Sequence, residues 1–454
     1  MIKPYSKRTV FSWSLYDFAN QPFTTLIVTF IYGTFFTQVI AENEITGTLL
    51  WSRGITITAI VVALLSPIMG AVADRGGYRK LYLILWTWTS IIGALLLWYP
   101  QEGQVVFALC AFVFGNIGFE MGGVFCNAFL PDIAPKEKIG RVSGYGWSFG
   151  YVGGLIALMV ALFLFIQPEI PIFNLDKAAH EHIRATNIMV AIWFAIFSIP
   201  TFLFVKQDKK PGKKISSILK ESMAQVKDTF LHVREYSEMR KFLLARLIYN
   251  DGLITVFAFG GIYAAGTFDF TMEEIMIFAI VLNVTAGLGA FMMGFLDDLI
   301  GGKHTIQISN IGLILACIIA VLSPNRALFN LQFPVFGDVM ITGKIMFWIS
   351  GILIGTFSGP NQAASRSLMA RFVPKDKANE FFGFFAFSGK ATAFMGPFLL
   401  GYLTLAFGSQ RFGVAVVLVF LVIGAILLHF VDESKGMNEV EYMTIHDRGG
   451  GGAK

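Results

Sequence analysis

Charge is what this 454-residue chain has least of: Asp, Glu, Lys and Arg make up 14% of it, against about 25% in soluble domains. Histidine is scarce too, six in all and scattered, with no spacing suited to a metal. The three cysteines, Cys110, Cys126 and Cys317, all sit inside apolar runs. That excludes a disulfide framework and leaves them as small core residues. No Gly-rich loop ends in Gly-Lys-Ser/Thr, so an ATP-driven pump is disfavoured. No Ser, His and Asp grouping and no reactive interfacial cluster emerges, so neither an enzyme nor a cofactor is expected. What is present is apolar: 55% of residues are hydrophobic and the mean hydropathy is +0.65. These residues lie in long runs separated by short charged segments, so the soluble prior of about 150 residues per domain does not apply. Collagen and disordered chains are excluded by the same figures. The net charge of +5 sits in the loops, which argues against nucleic acid as a partner. The chain reads as an all-α, polytopic membrane protein.

Crossing the hydrocarbon layer takes about 20 apolar residues. Runs of that kind cover roughly 12–40, 50–73, 79–99, 104–130, 141–167 and 186–205. A second set covers roughly 241–266, 273–296, 303–323, 343–370, 378–406 and 411–431. That predicts twelve spans in two groups of six. The halves are 1–205 and 241–431, with a linker at 206–240 and a tail at 432–454. The first run follows Lys3, Lys7 and Arg8, but it is too long for a signal sequence and carries Asp17, Asn20 and Gln21, so it reads as a retained helix. With the N-terminus in the cytoplasm, that side collects 27 of the 35 Lys and Arg, and the other side receives six. Both termini are therefore expected in the cytoplasm. Short exterior loops lean towards a bacterial inner membrane.

The linker with its flank holds ten basic residues from Lys206 to Lys241. Within it Ile215, Ile218, Leu219, Val226, Phe230 and Val233 recur at helical spacing. This predicts a basic amphipathic helix lying on the lipid surface, with a partner-docking element as the alternative. The tail from Asp432 is polar, ends in Gly-Gly-Gly-Gly-Ala-Lys, and is expected to be disordered or partly an artificial extension.

An internal repeat supports the two-half plan. Gly70, Asp74, Gly77 and Arg79 stand at the same mutual spacing as Gly294, Asp298, Gly301 and Lys303, 224 residues later. Pro135-Lys136-Glu137-Lys138 with Gly144 likewise matches Pro374-Lys375-Asp376-Lys377 with Gly383, offset by 239. Each residue type has a physical use. Glycine lets a neighbouring helix come close. The Asp can accept hydrogen bonds or face the positive N-terminus of another helix. The bases can pair with acids such as Asp132. Gly70, Asp74, Arg75, Gly77, Arg79, Asp132, Arg141, Asp298 and Arg366 are therefore the candidate gating residues.

The segment from Gly70 to Lys80 resembles the cytoplasmic loop signature of the major facilitator superfamily. More narrowly, Trp13-Ser-Leu-Tyr16-Asp17-Phe-Ala19-Asn20 is similar to the opening of the "unknown major facilitator" family, which includes fungal vacuolar amino-acid effluxers linked to autophagy. Asn127-Ala-Phe-Leu-Pro131 and Gly140-Arg141-Val-Ser143-Gly144-Tyr-Gly-Trp147-Ser-Phe-Gly150-Tyr151 point the same way. The resemblance covers nearly the whole chain and implies alternating access, with the halves rocking about a central site. The second loop copy departs by carrying Leu299 where a base is expected, which weakens a charge relay there.

Ionisable groups inside the bilayer cost at least ~2.5–3.5 kcal/mol at mid-helix, so each needs a reason. Asn116, Glu120, Gly123 and Asn127 share one face of the fourth span. Asp17, Asn20, Gln21 and Thr24 share one face of the first. The seventh offers Arg246 and Asn250, with Tyr249 and Asp251 alongside, and the tenth offers Ser358, Gln362 and Arg366, with Asn361 adjacent. Trp147 and Tyr151 lie one turn apart on the fifth, and Lys390 lies near the middle of the eleventh. The resemblance implies that the first, fourth, seventh and tenth spans line the central cavity. Bland readings remain open. Asp17, Arg246 and Arg366 could be interface or snorkelling charges, Trp147 and Tyr151 packing, and Glu120 with Lys390 a structural ion pair.

The candidate solute-binding set is Asn20, Asn116, Glu120, Asn127, Trp147, Tyr151, Tyr249, Asn250, Asn361, Gln362 and Lys390. Asp17, Glu120 and Asp251 are the candidate proton carriers. The function expected is secondary transport of a small polar or zwitterionic solute such as an amino acid, coupled to protons, by a monomer whose other partners are membrane lipids. A lipid or lysolipid carrier and a non-transporting receptor or scaffold are the alternatives.

Overall fold

The computed structural model describes residues 6–206, 215–231, 236–323 and 343–449. Among the described residues there is no strand. The first six spans are Lys7–Ile40, Glu44–Gly76, Arg79–Leu96, Val105–Asn127, Lys136–Ile166 and Glu181–Phe204. The second six are Ser237–Phe268, Met272–Ile300, Gly302–Leu322, Gly343–Arg371, Lys375–Phe407 and Gln410–His429. Ten of these helices are apolar and long enough by composition alone to cross a membrane. The other two are the third span, which opens on Arg79 and Lys80, and the tenth, which carries Ser358, Asn361, Gln362 and Arg366. The protein is an integral, multi-pass membrane protein built on twelve helices.

Its side chains are distributed as lipid demands. Leu64, Trp88, Phe163 and Leu203 point outwards, while Ser66, Thr87, Ser90, Asn116 and Thr201 are buried. Lipid is as apolar as Leu, so outward Leu costs nothing, whereas every polar group must find a partner inside. The first span bends where Pro22 removes a backbone donor, and it continues as π-helical turns over Phe23–Phe30 and Phe36–Ile40.

The chain divides into two compact units. One comprises Met1–Val142, Phe149–His232 and Val373–Phe387; the other comprises Ser143–Ser148, Val233–Phe372 and Ser388–Lys454. Inside the first, span 1 packs on span 6, spans 2 and 3 on span 4, and span 3 on span 6. Inside the second, span 7 packs on span 12, spans 8 and 9 on span 10, and span 9 on span 12. The pairing is the same in both, which is the repeat seen as structure. The buried tyrosines of the opening spans depart from it, Tyr16 reaching span 3 and Tyr249 reaching span 10. Tyr16 Oη is 2.8 Å from Thr87 Oγ1, and Tyr249 Oη is 2.7 Å from Ser365 Oγ.

Two short segments leave their own sequence half. The start of span 11 belongs with span 2, where a Cβ on Gly383 would come within 2.5 Å of the Ser66 backbone. A Cβ on Gly70 would come within 2.3 Å of the Asn379 carbonyl oxygen. Residues 143–148 belong with span 8, where a Cβ on Gly144 would come within 2.5 Å of the Ala290 carbonyl oxygen. The repeat glycines Gly70, Gly144 and Gly383 are therefore points of close helix approach. Gly77 and Gly301, also matched by the repeat, end their helices at φ 64° and φ 90°, where a side chain would be strained.

The chain departs from the expectation in two places. The linker helix, Ile215–Leu231, buries Ile218, Ser222 and Gln225 against span 2 and leaves Leu219 exposed, so protein rather than lipid covers its inner face. Ser222 Oγ donates to the Ala71 carbonyl at 3.3 Å. Val233 and the side chains of Ile215 and Phe230 lie outside the described residues. The tail, expected to be disordered, forms a helix over Glu433–Gly449 because it carries contacts to spans 7, 9 and 10. Residues 450–454 are not among those described.

Candidate functional site

Each unit has a basic end, formed in the first by the loops that join spans 2 to 3 and 4 to 5 and in the second by the ends of spans 8 and 10. In the first unit, Asp74 is the hub of that end. Its carboxylate accepts from Asn379 N at 3.2 Å, Asn379 Nδ2 at 2.6 Å and Glu380 N at 2.9 Å. Those backbone groups belong to the first turn of span 11, whose N–H groups lack helical partners and carry the positive end of the helix dipole. Arg79 lies 3.9 Å from the same carboxylate and forms a 2.5 Å ion pair with Asp132. It also donates to the Ala128 carbonyl at 3.3 Å and the Lys375 carbonyl at 3.5 Å. Arg75 turns the other way, to Gln225 and, at 3.4 Å, Glu221 of the linker helix. Gln225 in turn donates to Glu380. Of the candidate gating residues here, Asp74, Arg79 and Asp132 come together, and Arg75 ties the linker helix to span 2.

The second unit builds its basic end differently. Arg371 pairs with Asp297 at 2.6 Å, with Glu433 at 3.1 Å and with Asp298 at 4.0 Å. Glu433 also accepts from the backbone N–H groups of Gly302 and Lys303, at 3.1 and 2.9 Å, capping the start of span 9. Arg366 is buried higher in span 10. It donates from Nε to Ser143 Oγ at 2.9 Å and from Nη2 to the Ser143 carbonyl at 2.7 Å. Its guanidinium carbon lies 5.7 Å from the centre of the Trp147 ring. Arg141 is partly exposed at the start of span 5.

The candidate binding residues divide by environment. Asn20, Asn116, Tyr151, Tyr249, Asn250, Asp251 and Asn361 are buried. Asp17, Glu120, Asn127, Trp147, Gln362 and Lys390 keep intermediate exposure. Tyr249 is committed to Ser365, and Asn361 donates to Asn310 Oδ1 at 2.8 Å. Asp17, on span 1, lies against Gly150 of span 5, with Cβ 3.5 Å from where a side chain there would begin. Glu120 and Lys390 lie in different units.

One group of candidates is brought together where span 11 breaks. Its first helix ends at Lys390, residues 391–394 form a turn, and the helix resumes at Met395. Arg246 Nη1 donates to Ser388 Oγ at 2.8 Å, and Asn250 Nδ2 donates to the Gly389 carbonyl at 3.1 Å. That carbonyl is free for Asn250 because Ala393 N, its partner in a continuous helix, bonds to the Lys390 carbonyl instead. Asp251 is buried beside Thr392 of the turn.

Sequence reasoning missed Asn379, Asp297, Arg371, Glu433, Ser143 and Thr392. Asn379 and Glu380 both reach Asp74 through backbone N–H groups, which leave no residue signature, and Asn379 adds its side-chain amide. Arg371 did have a signal, because it stands 239 residues after Asp132.

A family model described as "Vacuole effluxer Atg22 like" matches residues 48–441. The chain is 27% identical over 436 residues to an uncharacterized MFS-type transporter, YxiO, of Bacillus subtilis, covering 95% of this chain and 96% of that one. It is 21% identical over 456 residues to Autophagy-related protein 22 of Saccharomyces cerevisiae (strain S288c), covering 91% and 83%. Among solved structures, the fucose:proton symporter FucP in its outward conformation aligns with a TM-score of 0.71 at 12% identity, over 95% of this chain and all of that one. The proton:xylose symporter XylE aligns at 0.70 and 15%, over 97% and 100%. The chain therefore belongs to the Atg22-like vacuole effluxer family, transporters with the twelve-helix fold of the major facilitator superfamily.

Proposed function

We propose that this transporter moves a small polar or zwitterionic organic solute, an amino acid in the first instance, by alternating access coupled to protons. The observation that carries the reading is the burial of Asn20, Asn116, Asn250 and Asp251 within spans 1, 4 and 7. Polar groups that deep in a membrane protein mark a solute or ion path. An ammonium and a carboxylate each need a partner where water is scarce. Glu120 in the first half and Lys390 in the second supply one of each sign, and the family name, vacuole effluxer, fits a solute carrier. The buried amides weigh against a lipid carrier, whose cavity would be apolar.

In this reading the basic ends face the cytoplasm of a bacterial inner membrane and the protein works as a monomer. Asp74, capping the start of span 11, and Arg79 with Asp132 form a latch that is made in one state of the cycle and broken in the other. A ligand or gate shifts such an equilibrium only through contacts that differ between states, and these contacts depend on where span 11 lies.

The test is uptake into proteoliposomes of a panel of labelled amino acids and siderophore-like compounds, with and without an imposed pH gradient. The reading expects saturable uptake of at least one zwitterion, enhanced by the gradient. Uptake of lysolipid alone, or none from the panel, would overturn the assigned class. A reporter fused after Val431 that reads as external would overturn the orientation.

A further inference from the structure

Asp251 is the most isolated carboxylate described in the chain. It stands near the middle of span 7 and is 1% exposed, and neither of its oxygens has a hydrogen-bond partner. The side chain that bears on it is Thr392, whose hydroxyl lies against the carboxyl without a well-aligned hydrogen bond and has no other partner. An ionised carboxylate held this way would forfeit its hydration and gain at most one poorly aligned hydroxyl in return, a cost of many kcal/mol. A protonated carboxyl is neutral and turns one orphan acceptor into a donor aimed at a hydroxyl.

The surroundings supply no substitute for a proton. On span 7, Arg246 is committed to Ser388 and Tyr249 to Ser365. Span 11 brings Lys390, the last residue before the break. Span 10 brings Arg366, held by Ser143. Span 12 has no ionisable side chain between Arg411 and His429, and span 8 carries its acids at its ends. The C-terminal helix meets span 7 at Ser237 and Glu238, far along the helix from Asp251.

The turn at 391–394 then acquires a role. Breaking a span inside the membrane exposes carbonyls that need donors, and Asn250 and Arg246 hold the chain before the break. After the break, Gly396 lies so close to span 7 that a Cβ there would come within 2.0 Å of Thr255 Oγ1. The pieces on both sides are pinned to span 7, and the unpinned turn between them covers Asp251.

We propose that Asp251 carries the coupled proton in this conformation, and that the turn at 391–394 is the hinge whose opening wets the carboxyl and releases the proton. The inference rests on the proton-coupled reading above and selects Asp251 over Asp17 and Glu120 as the carrier. When the hinge opens, the O–H bond of the Asp251 carboxyl breaks, the proton passes to water, and the carboxylate stays behind hydrated. The charged form then resists reburial until it is protonated again.

The test needs no solute, so its failure is separable from failure of the transport assay. Infrared spectra of the purified full chain in lipid are recorded from acid to alkaline pH. The wild type is expected to show a carboxylic-acid carbonyl band at neutral pH that Asp251→Asn lacks and Asp251→Glu displaces. Wild-type and Asp251→Asn spectra with no difference in the carboxylic-acid carbonyl region at neutral pH would mean an ionised Asp251 and overturn the proposal. In the same chain with Cys110, Cys126 and Cys317 replaced by serine, Ala393→Cys reports the hinge through maleimide labelling. Divided by the rate of a fully exposed reference cysteine, which removes the thiolate's own pH dependence, its rate is expected to climb about tenfold per pH unit until Asp251 is ionised, as the deprotonated fraction does. Adding Asp251→Asn is expected to abolish that slope. A rate set by sodium rather than pH, or a slope that survives Asp251→Asn, would contradict the hinge.

Discussion

The basic ends of the two halves share repeat positions but differ in their charge plans. In the first half, a base at the start of span 3, Arg79, pairs with an acid after span 4, Asp132. The repeat offsets put Lys303 at the place of Arg79 and Arg371 at the place of Asp132, so the second half would set base against base. It is rescued by two acids from elsewhere. Asp297 comes from the end of span 8, and Glu433 comes from the C-terminal helix, where it serves both Arg371 and the start of span 9. Duplication preserved the close-packed glycines because helix crossing depends on them. Charges were free to change wherever a neighbouring segment restored neutrality. The C-terminal helix is thus part of the second half's structure, as the linker helix, held by Arg75 and Glu380, is part of the first.

That contrast can be broken at its strongest point. Arg371 is buried and faces three carboxylates, so Arg371→Met leaves three acids together without the cation between them, the Ser367 hydroxyl on Asp297 and the Gly302 and Lys303 N–H groups on Glu433 remaining. Removing one partner of a buried pair costs about 3–5 kcal/mol. Arg79→Met is expected to cost less, about 2–3 kcal/mol, because Asp74 keeps its backbone donors from span 11. Thermal unfolding of the two purified variants ranks them. Equal losses would show that the halves do not differ in the way described.

Glu433→Gln sharpens the same comparison with a smaller step. It keeps an acceptor for Gly302 and Lys303 but removes the charge opposite Arg371, for an expected loss of about 1.5–3 kcal/mol. Asp132→Asn, its counterpart, pairs with Arg79 from a position about a third exposed, so its loss should be at most about 1 kcal/mol. A cycle combining Glu433→Gln with Arg371→Met reads the pair directly. Simple additivity there would remove the C-terminal helix from the charge network.

The fold was legible in the sequence to an unusual depth because membrane spans announce themselves by hydropathy and the repeat could be read from two loops. Asp74 was legible as well, since an Asp at a helix end beside a close-packing glycine has few other uses. The role of Glu380 was not, because a helix N-terminus binds an anion through backbone that any residue supplies, and the Asn379 amide that joins it is not marked by any repeat. The tail was misread because Glu433 belongs to no repeat and its polar neighbours look like a solvated end. Asp251 was noticed, but the break beside it was not. Ser388-Gly-Lys-Ala-Thr392 holds no proline, and its helix ends because Asn250 and Arg246 engage its backbone and side chains.

Asp74→Asn is expected to be the mildest change to stability and the most specific to the cycle. Losing a charge at a helix N-terminus is worth about 0.3–2 kcal/mol. If the latch forms in one state alone, that loss appears as a population shift, not as unfolding. Transport should fall several-fold while the melting temperature barely moves. Normal transport by the purified variant would reduce the loop to a topology signal.

The most direct test of the central claim, that solute movement and proton movement are one event, is a pH reading inside sealed proteoliposomes. A pH-sensitive dye is trapped in the lumen, no pH gradient is imposed, and a solute identified by the uptake panel is added outside. The account predicts that lumenal pH shifts as solute enters, in proportion to the uptake measured in parallel, and that Asp251→Asn carries solute in exchange without moving the dye signal. Solute entry by the wild type at constant lumenal pH would contradict it.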